Sequence, residues 1–208
     1  MTGTTMLLVF VGAMLASLLR ANVRDHRAAK SLGVTAARRL LEELARARGA
    51  APPVQQDGEV VEIGVGGRDE HVAYAVAIRV DANGSGWTRV VATPAAPIAF
   101  ALSIQRLGHG RWSGFDVEPE ALARTGDARF DTAFLVRASS EAAARAFLSD
   151  DVRARLVALR DAGLIELDVG AQGVALSAVG VPRDAERLGA MLDVALLASR
   201  SQGAAAYR

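Results

Sequence analysis

The chain has 208 residues, of which 51% are hydrophobic and 23% are charged, a composition that excludes an intrinsically disordered protein. It contains no cysteine, which excludes disulfides, thiolate metal sites, a cysteine nucleophile and a lipoprotein anchor. The net charge of +1 provides no basic field for nucleic acid, and three histidines are too few for a histidine-rich metal site.

The N-terminal segment is strongly apolar. Residues 1–19 carry no charge, and the apolar run within them extends from Met6 to Leu19. About eighteen helical residues span about 27 Å, close to the thickness of the hydrocarbon core of a bilayer. We therefore predict a transmembrane anchor at residues 1–19 that contacts the membrane through residues 6–19. A cleaved signal peptide, a buried core helix and a misassigned start codon are the alternative interpretations.

Basic residues follow the apolar run directly. Residues 20–50 contain eight basic and three acidic side chains, a net charge of +5, which leaves −4 for residues 51–208. Basic residues beside a membrane span tend to stay in the cytoplasm. The sequence thus predicts a single-pass protein of the cell inner membrane with a cytoplasmic body. Residues 20–58 are expected to form a basic juxtamembrane helix and a linker.

Within this basic region, residues 35–48 show helical spacing of leucines. Thr35 is the predicted N-cap, and Gly49 is expected to end the helix. Arg38 and Arg39 lie on its polar face and are candidate binding residues for anionic lipid. In the alternative interpretation, these arginines lie on a solvated helix face and reflect only the excess of basic residues in cytoplasmic segments.

The hydrophobic period changes from 3.6 to 2 after the linker. Residues 71–80 alternate cleanly, with branched residues and a tyrosine on one face and mostly alanine on the other. This pattern suits a strand that is covered on both sides, with a helix across the alanines. Further turns and strands are predicted at residues 66–70, 81–86, 87–93 and 98–104. Residues 59–106 therefore predict an antiparallel meander of about four strands.

The second half of the chain mixes helices and strands. The predicted elements are a strand at 130–137, helices at 140–148 and 150–162, a hairpin at 164–179 and a last helix that starts at Asp184 or Pro182. Ser139 or Ser140 is the predicted N-cap of the first of these helices, and Gly163 is expected to end the second. In the first hairpin strand, Glu166 and Asp168 are expected to face away from the core. Residues 203–208 are predicted to form a disordered tail.

These elements predict an α+β domain over residues 59–202. Its antiparallel sheet combines the meander, the later strand and the hairpin, and its helices lie mainly on one face. A curled barrel of the pleckstrin-homology kind, closed by the last helix, is the alternative architecture.

The irregular segment after the meander holds the candidate binding residues. His109, Arg111 and Trp112 lie on a glycine-rich stretch, where these residue types suit the binding of an anion or a partner. Asp127 and Asp131 suit a hard cation or acid–base chemistry, although their spacing matches no EF-hand loop. The alternative interpretation is structural, with Asp127 as a turn residue and Asp131 at the entry of the following strand. The chain lacks the motifs of phosphate loops, serine hydrolases and zinc proteases, so we predict no catalytic residue, no metal ligand and no cofactor.

The segment from Gly126 to Val136 reads G-D-A-R-F-D-T-A-F-L-V. It resembles the pattern G-D-x-x-F-D-x-x-F-x-V of a loosely defined group of uncharacterised, often membrane-anchored bacterial proteins. The resemblance covers about residues 59–200. It implies no activity and no catalytic residues, because no reaction is assigned to the group.

The leading functional hypothesis is a membrane-tethered cytoplasmic module without enzymatic activity that binds a partner protein or the membrane surface. It is motivated by the apolar N-terminus and by the basic helix that follows. A hydrolase-like enzyme with a site in residues 107–131 is the second hypothesis. A structural subunit of an envelope complex is the third.

Overall fold

The computed structural model describes residues 3–107, 124–160 and 163–203, with side chains described from residue 26 to residue 200. The helices are α1 (Gly3–Arg48), α2 (Ala128–Asp131), α3 (Glu141–Phe147), α4 (Asp150–Arg160) and α5 (Ala185–Gly203). The strands are β1 (Val54–Gln56), β2 (Val61–Asp69), β3 (Val72–Val80), β4 (Gly86–Pro94), β5 (Leu102–Arg106), β6 (Phe134–Ala138), β7 (Leu164–Gly170) and β8 (Gly173–Val179).

The eight strands form one antiparallel sheet in the order β1-β2-β3-β4-β8-β7-β5-β6, which confirms the α+β class. The predicted four-strand meander wrongly includes β5. The strand beside β4 is β8, and β5 lies between β7 and β6. Alternation fixes the face on which a residue lies but not the strand beside it. Since β1 and β6 are the two edges, the sheet is open and the barrel alternative is wrong.

The described helices pack on one face of the sheet. In β3 this face carries Tyr74, Val76 and Ile78, which form one core with buried residues of α1 and α5. On the opposite face Ala75 is exposed, and no described helix covers the alanines. The expectation of a helix across the alanines is therefore wrong. The branched side chains present more apolar area than alanine, so their burial stabilises the fold more.

Helix α1 joins segments that were predicted as separate. It is continuous over 46 residues, and Thr35 is no N-cap because its hydroxyl donates to the Ser31 carbonyl oxygen within the helix, at 2.9 Å. Gly49, with φ +61°, follows the last helical residue as predicted. None of the helices in the described part of the chain has both the length and the hydropathy to cross a bilayer. The transmembrane anchor predicted at residues 1–19 is therefore not supported.

The first hairpin turns later than predicted. Residues 66–69 belong to β2, and the chain reverses at Glu70 and His71, where Glu70 has φ 53°. Gly67 lies opposite Tyr74 in the sheet, and a Cβ at position 67 would lie 2.4 Å from the tyrosine hydroxyl. This glycine therefore makes room for an aromatic side chain rather than for a turn.

The strand predicted at 130–137 begins only at Phe134, because residues 128–131 form α2. Several other local predictions are confirmed. Ser140 caps α3 by accepting from the Ala143 amide, and Gly163, with φ +95°, follows the end of α4. Asp184 accepts from the Arg187 amide at 2.8 Å at the start of α5. The short strand β1 lies in the predicted linker. Most of the predicted tail, residues 204–208, lies outside the described residues.

The packing of α1 predicts a large difference between two of its leucines. Leu41 is fully buried, whereas Leu32 on the same helix is 72% exposed. We expect Leu41→Ala to lower the free energy of unfolding by about 2–5 kcal/mol, since it removes buried methyl groups and leaves a cavity. Leu32→Ala is the matched control and should change it by less than about 0.5 kcal/mol. Equal losses in urea titrations of the two full-length variants would contradict this packing.

Candidate functional site

Helix α1 leaves the folded body at one end of the sheet. The Lys30 ammonium donates to the carbonyl oxygens of Gly58 and Glu59, at 3.0 and 2.9 Å, just before β2 begins. The turn between β3 and β4 is also in contact, because a Cβ on Gly84 would lie 2.6 Å from the Ala29 carbonyl oxygen. We call this edge of the body the exit end.

The part of α1 before Ala29 continues away from the exit end. The helix begins at Gly3, and the side chains of His26, Arg27 and Ala28 are exposed. At 1.5 Å per residue, residues 3–28 extend for about 39 Å. The apolar run from Met6 to Leu19 thus belongs to the same helix that packs on the sheet.

The two candidate arginines of α1 lie on the packed half of the helix. Arg38 is exposed, and its guanidinium donates to the side-chain oxygen of Gln55 in β1 at 2.8 Å. The side chain of Arg39 is 70% exposed and lies 3.6 Å from the Glu43 carboxylate, one helical turn on. Such exposed pairs contribute little to stability, at most about 1 kcal/mol. Arg38 therefore ties α1 to the edge strand, and Arg39 lies on a solvated face.

The candidate residues His109, Arg111 and Trp112 lie outside the described residues. The neighbouring carboxylates are described, and both bind backbone amides. Asp127 caps α2 by accepting from the amides of Arg129 and Phe130, at 2.9 and 3.2 Å. This arrangement suits a structural cap better than a general acid or base.

Asp131 closes the loop before α2. Its carboxylate accepts from the Thr125 amide and hydroxyl, at 3.1 and 2.8 Å, and from the Gly126 amide at 3.2 Å. Burial raises the pKa of this carboxyl, but the bonds from Thr125 and Gly126 outweigh it and hold the pKa below its ordinary value. A carboxylate with these partners stays ionised and fixes the loop.

Arg153 connects this loop to α4. Its guanidinium lies 3.5 Å from Asp127, also pairs with Asp150, and donates to the Leu148 carbonyl oxygen at 2.5 Å. Phe130 packs beneath the loop against Phe134, with ring centroids 4.9 Å apart. The G-D-x-x-F-D residues thus join α2, α4 and β6.

None of the described helices packs on the face of the sheet that carries Ala75, which we call the helix-free face. A cavity of about 420 Å³ lies on this face, and a larger one of about 590 Å³ lies beside α2 and β6. The described residues that line the larger cavity include Arg124, Thr132 and Leu135, together with Asp131. Its charged groups are a guanidinium and a carboxylate that already binds the loop. The described lining combines these charged groups with apolar side chains, and none of the sequence motifs identifies a ligand for it.

Two buried carboxylates lie on the helix-free face of the sheet. The prediction that Glu166 and Asp168 of β7 face away from the core is confirmed. Their side chains are nevertheless buried, since they are only 3% and 5% exposed. Gln105 donates to Glu166 at 3.1 Å, and the buried Ser103 faces Asp168 across the pair of strands. Buried carboxylates require such polar neighbours. Periodicity reveals the face of these residues but not their burial.

Comparisons with known proteins give a distant structural likeness. No family model matches the chain, and no curated protein matches it. A solved structure of the mycobacterial trehalose monomycolate transport factor A is similar at 14% identity with a TM-score of 0.43. The match covers 79% of this chain and 91% of that protein. The G-D-x-x-F-D resemblance and the group it indicates remain predictions.

Acid titration tests the role of Asp131. Because its pKa is lowered by folding, Asp131 stabilises the fold above the pKa of the unfolded chain, near 3.8. That contribution is lost as the pH falls through the lower, folded value. We expect Asp131→Asn to reduce the free energy of unfolding at pH 7, and the difference from the parent protein to shrink below about pH 4.

The control for this titration is Asp151→Asn, which removes an exposed carboxylate that pairs with Arg155 on the same helix. It should change stability by less than about 1 kcal/mol. Urea unfolding of the three full-length proteins between pH 3 and pH 7 provides the measurement. A constant difference for Asp131→Asn across this range would contradict the structural role.

Proposed function

We propose that the chain is a membrane-attached docking module without enzymatic activity. Residues 6–19 attach it to a lipid bilayer, and the α+β body lies on the cytoplasmic side, where it receives a partner protein. The observation that carries the proposal is the continuity of α1, which unites the apolar run and a core-forming segment in one helix.

The energetics of the apolar run support attachment. Its ten large apolar side chains each stabilise the buried state by about 1.5–3 kcal/mol, and no charge opposes them. Fourteen helical residues extend for about 21 Å, less than the hydrocarbon core of about 30 Å. Attachment requires burial of this segment in lipid and does not require that it cross the bilayer.

The positions of the basic residues support a division of roles along α1. Arg20, Arg24 and Arg27 follow within about 12 Å of Leu19 along the helix, inside or near a headgroup layer. Arg38 lies about 29 Å from Leu19, beyond the Debye length of about 8 Å at physiological salt. We therefore assign the attraction to anionic lipid to the first three arginines rather than to Arg38 and Arg39.

The hydrolase-like alternative finds less support. Its candidate carboxylates, Asp127 and Asp131, accept hydrogen bonds from the backbone amides that they hold in place. The bonds to Asp131 also lower the pKa of its carboxyl, which makes it a poor proton donor at neutral pH. The docking proposal uses these residues as supports of the body instead.

Charges placed in the apolar run test the attachment. We expect the double variant Leu8→Asp, Val11→Asp to lose association with phospholipid vesicles, because each buried charge costs about 2.5–3.5 kcal/mol. The control variant Ala142→Asp, Ala154→Asp adds the same charge at exposed positions of α3 and α4. Co-sedimentation of the full-length proteins is the measurement. Equal sedimentation of both variants, or a parent protein that stays in the supernatant, would refute the attachment.

Competition between anionic and neutral vesicles tests the basic residues. Each arginine near the surface contributes about 1 kcal/mol, so Arg24→Gln, Arg27→Gln should lower the preference for anionic vesicles by up to about 30-fold. Arg38→Gln, Arg39→Gln is the matched pair farther along α1 and should leave this preference unchanged. The reverse result would place the packed half of α1 on the lipid surface and overturn the assignment.

A further inference from the structure

The described part of the chain exposes few large apolar side chains, and most of these share one location. The exposed set is Leu32, Val54, Val60, Leu107 and Val179, with exposures between 46% and 75%. Single exposed apolar residues need no explanation, whereas a group at one end of a domain indicates a contact surface. Four of the five lie at the exit end.

Strand register places three of these residues in one row. Val61 pairs with Val80, and Val80 with Gly86, so Val60 lies at this end of β2. β8 lies beside β4 in the sheet, and its last residue, Val179, pairs with Trp87 near the start of β4, at the same end.

The row continues across the remaining strands. The Val179 amide donates to the Gly163 carbonyl oxygen just before β7, and the Leu107 amide donates to the Ala133 carbonyl oxygen just before β6. β5 pairs antiparallel with β7, with Gln105 opposite Glu166, so the end of β5 that leads to Leu107 lies beside the start of β7. Leu107 therefore belongs to the same end of the sheet as Val179. Val54 pairs with Gly64, near the middle of β2, and lies away from this row.

We infer that the exit end, through Leu107 and Val179, is the surface of the body that contacts the lipid headgroups. This inference rests on the proposed attachment by residues 6–19. Lipid is the occupant because α1 leaves the body at this end and carries the apolar run on the same helix. The bilayer therefore lies on this side of the body rather than on the opposite end.

The distances are compatible with contact at an ordinary helix tilt. Leu19 lies about 15 Å along α1 from Ala29, where packing on the body begins. Headgroups occupy about 5–7 Å of this distance. β5 lies four strand spacings from β3, a distance of about 19 Å. If α1 tilts by about 20° from the bilayer normal toward β5, the end of β5 moves about 7 Å closer to the bilayer. The two contributions nearly close the gap for Leu107, and side-chain length covers the remainder. Val179 in β8 is two strand spacings from β3, so the same tilt moves it only about 3 Å closer and leaves it farther from the headgroups than Leu107.

The absence of cysteine allows an experiment with single labelled sites. Leu107→Cys, Val179→Cys and Val54→Cys are each labelled with an environment-sensitive fluorophore on the full-length protein. Val54 is the matched control because it is the most exposed of the five yet lies away from the exit end. Vesicles of phosphatidylcholine and phosphatidylglycerol, with and without nitroxide-labelled lipid, are added.

The expected result is a blue shift and nitroxide quenching at positions 107 and 179, with neither at position 54. Vesicle-bound protein whose probes all remain water-like would overturn the inference and leave the proposed attachment standing. A blue shift without nitroxide quenching would assign the surface to protein contact and also overturn it. Protein that does not bind vesicles at all would refute the attachment itself. The vesicle-bound fraction, measured in the same samples, separates these outcomes.

Discussion

The rest of the structure depends on the burial of the branched face of β2, β3 and β4 beneath α1 and α5. Leu40, Leu41 and Leu44 of α1 are at most 2% exposed, and they share one core with Val76 and the other branched residues of the sheet. An ion pair between Arg48 and Asp193 joins the two helices. Because α1 is continuous, the direction set by this packing also determines where residues 3–28 extend. Core packing thus fixes the direction of a segment that lies outside the core.

The opposite face of the sheet imposes a different constraint. In β7, Glu166 and Asp168 alternate with buried apolar residues, so a slip of one residue would move both carboxylates into the core. An unpaired carboxylate in an apolar interior costs several kcal/mol. The polar neighbours Gln105 and Ser103 exist only on the helix-free face. These carboxylates therefore disfavour a one-residue slip of β7 against its neighbours.

Much of the local structure follows from the sequence, whereas the arrangement of the elements does not. Alternation predicted β3, β4 and the β7–β8 hairpin, and cap residues such as Ser140 predicted the short helices. The placement of β8 beside β4 arises from long-range pairing, which periodicity does not encode. Thr35 was misread because a threonine within a helix can bond the carbonyl four residues earlier, as it does here. The exit end was not predictable either, since register alone brings Val179 and Leu107 to one row.

The helical connection between the apolar run and the body also limits what a docking module can do. A flexible linker of ten residues would have an end-to-end distance of about 17 Å in any direction, so the body could present every surface to a membrane or partner. A helix of ten residues instead keeps its two ends about 15 Å apart in one fixed direction. With the proposed attachment, the body keeps the exit end toward residues 6–19 and the far ends of β2 and β3 away from them. The far end and the helix-free face are then the surfaces that stay open to a partner protein, because a lipid bilayer would lie on the side of the exit end.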